Sequence, residues 1–88
     1  MPASVVLYDA DTSLRPLIRH AWAEVLGHNE FGDEDVFSSI GGTAPAEVKV
    51  MRLVSHAVGE KLPIYLLAHH PTVALLDKAV RQSLADDV

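Results

Sequence analysis

Phe37-Ser38-Ser39-Ile40-Gly41-Gly42-Thr43-Ala44-Pro45 is the stretch on which the reading of this chain turns. Two glycines close an extended approach, and a proline suited to the first helical position follows. The pattern predicts a helix from residue 44 to Val58, closed by Gly59. Residue 44 therefore stands at the mouth of a helix, held out toward a partner. It is an alanine, whose methyl group supplies no nucleophile, acid or metal ligand. Ser38 and Ser39 lie on the other side of the glycines and read as local caps of the turn.

Working outward toward the C-terminus, Ala46, Val50, Leu53, Val54 and Ala57 are spaced to face a core, with Pro45, Val48 and Arg52 on other faces. Val48 is the apolar exception there, readable as peripheral core or as a contact for partners. Lys61-Leu62-Pro63 breaks the chain. Ile64–Ala68 is apolar but about one and a half turns long, so it persists as a helix only by packing. Pro71 is expected to start a last helix, capped by His70 or preceded by a His69-His70 turn, with Val73, Leu76, Ala79, Val80 and Leu84 as its buried stripe. Toward the N-terminus lies a long acidic loop holding Glu30, Asp33, Glu34 and Asp35, anchored by Phe31, Val36, Phe37 and Ile40. The acids read as a solvated loop, because Asp33-Glu34-Asp35 lacks the alternating ligands and terminal glutamate of a calcium-binding loop. Before it, Leu14, Leu17, Ile18, Ala21, Trp22 and Val25 trace one face of a first helix, with Thr12 or Ser13 as its cap and Gly27 as a left-handed end. The expected organisation is an arm over residues 1–12, a domain over 13–84 and a frayed end over 85–88. Three main helices and one short one result, an all-α chain.

Eighty-eight residues suffice for one small domain. The chain has no cysteine, which removes disulfides, thiolate nucleophiles and cysteine metal sites. Its formal net charge of -5 repels nucleic-acid phosphate, and its basic residues are scattered. No run approaches the roughly 18 apolar residues needed to cross a bilayer, and no signal peptide is visible. Neither nucleic acid nor membrane is an expected partner, and a cytoplasmic location is expected. The five histidines His20, His28, His56, His69 and His70 show no metal-ligand spacing. Gly41-Gly42 lacks the remaining glycines and the Gly-Lys ending of a phosphate-binding loop. No serine stands at a diagnostic distance from a histidine and an acid. No catalytic constellation is present, and an enzyme is not expected.

Four segments carry a resemblance: Ala21-Trp22-Ala23-Glu24-Val25-Leu26-Gly27, Asp35-Val36-Phe37-Ser38-Ser39-Ile40-Gly41-Gly42-Thr43, Leu62-Pro63-Ile64-Tyr65-Leu66-Leu67 and Pro71-Thr72-Val73-Ala74-Leu75-Leu76. In this order they resemble the peptidyl carrier (thiolation) domain of nonribosomal peptide synthetases, over about residues 12 to 84. The double glycine and the tryptophan of the first helix resemble the peptidyl type more than the acyl carriers of fatty acid or polyketide synthesis. The resemblance implies an acyl carrier protein-like four-helix bundle with a long loop after helix 1. It implies a 4'-phosphopantetheine arm, moved from coenzyme A by a phosphopantetheinyl transferase onto a serine that follows Gly-Gly-x. Gly41, Gly42 and Thr43 match the approach, and the serine position falls on Ala44, so no arm is attachable to this chain. In the serine-bearing form the arm's thiol carries an aminoacyl or peptidyl group as a thioester. The implied partners are an adenylation enzyme and condensation or tailoring enzymes, with Pro45, Val48, Arg52, Ile64 and Tyr65 as expected contacts. A monomer is expected, and the initial methionine suggests a free-standing carrier. Pro45, where the family usually has a larger apolar residue, and Val36 before Phe37 are minor departures. Ala44 has two explanations, an engineered substitution that keeps the chain unmodified or a natural loss of the arm. The alternative function is an acyl carrier-like or degenerate carrier that acts as a docking adaptor.

Overall fold

The computed structural model describes residues 13–86; the expected arm over residues 1–12 and the terminal pair 87–88 lie outside them. Four helices follow in order: α1 (Arg15–Leu26), α2 (Ala44–Val58), α3 (Leu66–His69) and α4 (Val73–Asp86), with a 3-10 turn at Phe37–Ile40. The described residues form no strand, so the fold is all-α as expected. α1 packs on α2 and α4, and the single turn of α3 bridges α2 and α4.

The apolar stripes explain this arrangement. Ile18 and Trp22 of α1, Val50 and Val54 of α2, Leu67 of α3 and Leu76 and Val80 of α4 are all fully buried. Burying each such side chain contributes about 1.5–3 kcal/mol. The long loop adds two aromatic wedges. Phe37 meets Trp22 edge-on at 4.8 Å between ring centroids, and Phe31 meets it tilted at 5.5 Å. Trp22 Nε1 is buried without a hydrogen-bond partner, so aromatic packing holds the indole there at the cost of one unsatisfied donor.

The loop is sewn to the bundle by backbone bonds. Phe37 donates its N–H to the Pro71 carbonyl at 2.8 Å, and Ala74 donates to the Asp33 carbonyl at 3.1 Å. The acids are not uniformly solvated. Asp33 accepts from Arg15 at 3.1 Å and from Arg19 at 2.8 Å, while Asp35 accepts the Gly32 N–H at 2.7 Å. Arg19 also donates to the Phe31 carbonyl and lies over the Phe31 ring. Only Glu30 and Glu34 match the solvated reading in full.

Several local expectations are corrected. The approach to the glycines is a 3-10 turn, not a strand-like run; only Val36 before it is extended, and Val36 is exposed rather than an anchor. On α2 the buried face is Val50, Met51, Val54 and Val58, whereas Leu53 is 37% exposed and Ala57 is exposed. The stripe is rotated because Met51 and Val58 complete the three-four spacing through Val54. α1 is preceded by Leu14; of the two expected caps Thr12 lies outside the described residues, and Ser13 Oγ accepts the Arg15 N–H at 3.3 Å, while a carboxylate from α4, Asp77 Oδ1, accepts the Leu14 N–H at 2.7 Å. α3 starts at Leu66, leaving Ile64 and Tyr65 outside the helix. α4 starts at Val73, with the Thr72 hydroxyl accepting the Leu75 N–H at 3.1 Å. His70 instead closes α3, its Nδ1 lying 3.0 Å from the Leu66 carbonyl. α4 reaches Asp86, past the boundary drawn at residue 84, where Leu84 still packs on the core.

Candidate functional site

The head of α2 is built by four consecutive residues with different tasks. Gly41 has φ +107, the left-handed region that a side chain disfavours, and it reverses the chain out of the 3-10 turn. Gly42 is needed for a different reason: a Cβ there would overlap the Phe37 ring. The Gly42 N–H donates to the Phe37 carbonyl at 2.9 Å, which clamps the turn over that ring. Thr43 is extended (φ -118, ψ 170) and caps the helix. Its hydroxyl accepts the Ala46 N–H at 3.2 Å and its carbonyl accepts the Glu47 N–H at 2.9 Å. Ala44 is the first helical residue and Pro45 the second, one place later than expected for the proline. Proline suits that place too, since an N–H there lacks a partner within the helix.

Ala44 is exposed at this mouth. The packing beneath it is extensive: Gly42 rests on Phe37, Phe37 on Trp22, and the His28 ring ties the turn from outside. His28 Nε2 donates to the Ile40 carbonyl at 2.9 Å while its Nδ1 accepts the Glu30 N–H at 3.0 Å. The residues present do not fit a phosphopantetheine phosphodiester, because residue 44 has no hydroxyl. The neighbouring hydroxyl of Thr43 is committed to the cap, on a residue that is not helical.

The other expected site residues fall in two places. Pro45, Val48 and Arg52 share one side of α2, with Pro45 and Arg52 exposed and Val48 half-buried. Ile64 (56% exposed) and Tyr65 (58% exposed) lie in the turn that leads into α3. Leu75 on α4, 47% exposed, and Leu53 on α2 are further exposed apolar residues that spacing had assigned to no contact or to the core. Asp77 was missed altogether. It is 1% exposed and accepts from Leu14 N–H, with Arg81 Nη2 at 3.2 Å and Arg15 Nε at 3.7 Å. The signal was available, since residue 77 falls on the same stripe as Val73, Leu76 and Val80. Among the described residues no group of three or more His, Asp or Glu is placed to hold a metal ion, and no helix is long and apolar enough to cross a membrane.

No family model matches the chain. Relatives do. The chain is 37% identical over 62 residues to tyrocidine synthase 3 of Brevibacillus parabrevis, a match covering 70% of this chain and 1% of that protein. It is 33% identical over 78 residues to erythronolide synthase EryA2 of Saccharopolyspora erythraea, covering 85% of this chain and 2% of that protein. The chain thus spans only a few per cent of the length of the curated relatives it matches. Among solved structures it is similar to BlmI, a type-II acyl-carrier-protein from Streptomyces verticillus involved in bleomycin biosynthesis. The TM-score is 0.76 at 31% identity, over 81% of this chain and 86% of that one. With the four-helix bundle, the double-glycine approach and a relative matched over most of its own length, the chain belongs to the carrier-protein family.

Proposed function

We propose that this chain is a peptidyl carrier domain of nonribosomal-peptide-type biosynthesis held permanently without its arm. One observation carries the reading: the approach Gly41-Gly42-Thr43 is complete, yet the exposed first residue of α2 is Ala44. Gly42 lets the turn close over Phe37 and Thr43 caps α2, and together they hold residue 44 exposed at the helix start, where a serine hydroxyl would be reachable. Carriers of this family bear phosphopantetheine, and in this chain the bond to it requires a serine at position 44. In that serine-bearing form an aminoacyl or peptidyl group is held as a thioester and presented to enzymes that load, join or tailor it. A phosphinothricin tripeptide synthetase of Streptomyces viridochromogenes among the relatives favours the peptidyl type. A phosphopantetheinyl transferase, an adenylation enzyme and condensation or tailoring enzymes are the partners, acting in the cytoplasm on a monomer. Pro45, Val48, Arg52, Ile64 and Tyr65 are their contacts. The domain itself catalyses nothing.

The test is intact-protein mass of the chain and of Ala44→Ser, each incubated with a broad-specificity phosphopantetheinyl transferase, magnesium and coenzyme A. A gain of one phosphopantetheine on the revertant alone is expected. No gain on a folded revertant would overturn the reading and favour a docking adaptor that is never modified. Loading of the modified revertant by an adenylation enzyme, rather than by an acyltransferase, checks the peptidyl assignment.

A further inference from the structure

A second feature lies away from the head of α2. Glu24 and Val25 of α1 and Lys49, Arg52 and Leu53 of α2 line a groove of about 430 Å³. At roughly 100° per residue, Leu53 and Val48 fall on opposite flanks of the ridge formed by Pro45, Lys49 and Arg52. The groove therefore opens on the flank opposite Val48 and shares only Arg52 with the Pro45–Val48 side. Its floor is aliphatic, with Leu53 37% exposed and Val25 half-buried. Its rim is cationic. Arg15, Arg19 and Arg81 are engaged by Asp33 and Asp77, but Lys49 and Arg52 are exposed and form no ion pair among the described residues. Glu24, the one acid at the groove, lies 3.6 Å from His20 on its own helix. In a chain of net charge -5, two open cations beside exposed leucine are a local inversion of sign.

We propose that this α1–α2 groove docks an acidic amphipathic segment of a partner protein. An aliphatic or aromatic side chain of the segment sits on Leu53 and Val25, and its flanking carboxylates meet Lys49 and Arg52. The complementarity selects sign: a basic segment is repelled at the rim. A groove of this size seats a few side chains, so the contact is weak and transient, and added salt weakens it further. The proposal stands on the groove and its charges and is independent of what residue 44 carries.

The test selects a random dodecapeptide phage library on the full chain and maps the enriched synthetic peptides by ¹H–¹⁵N chemical shifts. Enriched peptides are expected to combine Asp or Glu with Leu, Ile, Met or Phe and to shift the amides of Val25, Lys49, Arg52 and Leu53. Affinity is expected to fall about tenfold or more in the Lys49→Glu/Arg52→Glu variant, and to fall with salt. Both substituted residues are exposed, and the variant's own spectrum verifies its fold; Arg52→Gln alone serves if it does not fold. No enrichment, a basic or uncharged consensus, a footprint around Ala44 or Tyr65, or unchanged affinity in the variant would each overturn the proposal. So would tighter binding of a peptide copying residues 1–12, which makes the chain's own N-terminal segment the occupant.

Discussion

The two glycines at the head of α2 look alike in sequence and answer to different constraints. Gly41 is required by its positive φ, Gly42 by the ring beneath it. Gly42→Ala forces Phe37 off Trp22, and overpacking of this kind costs roughly 1–3 kcal/mol. A lowered urea midpoint with weakened near-ultraviolet aromatic signal is the expected result; an unchanged signal would mean that the ring has room. Thr43 follows the cap rule. Thr43→Ala should cost about 1 kcal/mol, or some 4–8 °C in melting temperature, whereas Thr43→Ser keeps the oxygen and should stay near wild type. Equal losses in both variants would assign the effect to the threonine methyl group. In the Ala44→Ser background neither cap variant supplies or removes the acceptor, so Thr43→Ala should still gain one phosphopantetheine. Ala44→Ser itself, at an exposed position, should change stability by no more than about 0.5 kcal/mol.

Between elements, the decisive residue is one that periodicity places on a face without saying what it does there. Asp77 is buried on α4, and its carboxylate receives the N–H that starts α1 together with two guanidinium groups. Asp77→Ala removes the acceptor of a buried N–H and one partner of each arginine, and since both arginines are partly exposed the cost is set near that of charged hydrogen bonds, about 2–3 kcal/mol. Asp77→Asn keeps an acceptor for Leu14 and should lose less. Chemical denaturation of the pair measures the order, and an alanine variant as stable as the asparagine one would show that the charge contributes nothing. This example marks how much was legible. The existence and order of four helices, the bounds of α2 with its closure at Gly59, the left-handed end at Gly27 and the exposed alanine were all readable, because spacing and glycine chemistry are local. The Leu14–Asp77 bond, the Asp33 clamp and the rotated stripe of α2 were not, because each depends on which helix another residue meets. Leu53 illustrates the limit: its spacing fits a core, and only the packing of α1 against α2 decides that it lines a groove instead.

At the scale of the whole molecule, stability is unevenly spread, and the distribution bears on how the domain presents itself. α1 buries its stripe against those of α2 and α4, while α3 is a four-residue turn held by Leu66 and Leu67. An isolated turn of that length does not persist, so its order is borrowed from those two contacts. The amides of His69 and His70, bonded to the Tyr65 and Leu66 carbonyls at 3.2 and 2.9 Å, should therefore exchange with solvent through local opening that urea barely affects. The interior amides of α2, and the Leu76 amide bonded to Thr72 at 2.8 Å, should exchange only on global unfolding. Native-state hydrogen exchange across a series of urea concentrations separates the two classes, and α3 amides as protected as those of Val54 would contradict the scheme. Leu67→Ala sharpens the comparison. Its fully buried side chain should cost about 2–5 kcal/mol of global stability while bringing α3 exchange close to that of an open chain. The consequence is directional: Ile64 and Tyr65 stand at the entrance of the element that yields first, and Ala44 stands on the helix that yields last. A partner that engages both thus meets a firmly held helix start on one side and an adjustable apolar contact on the other.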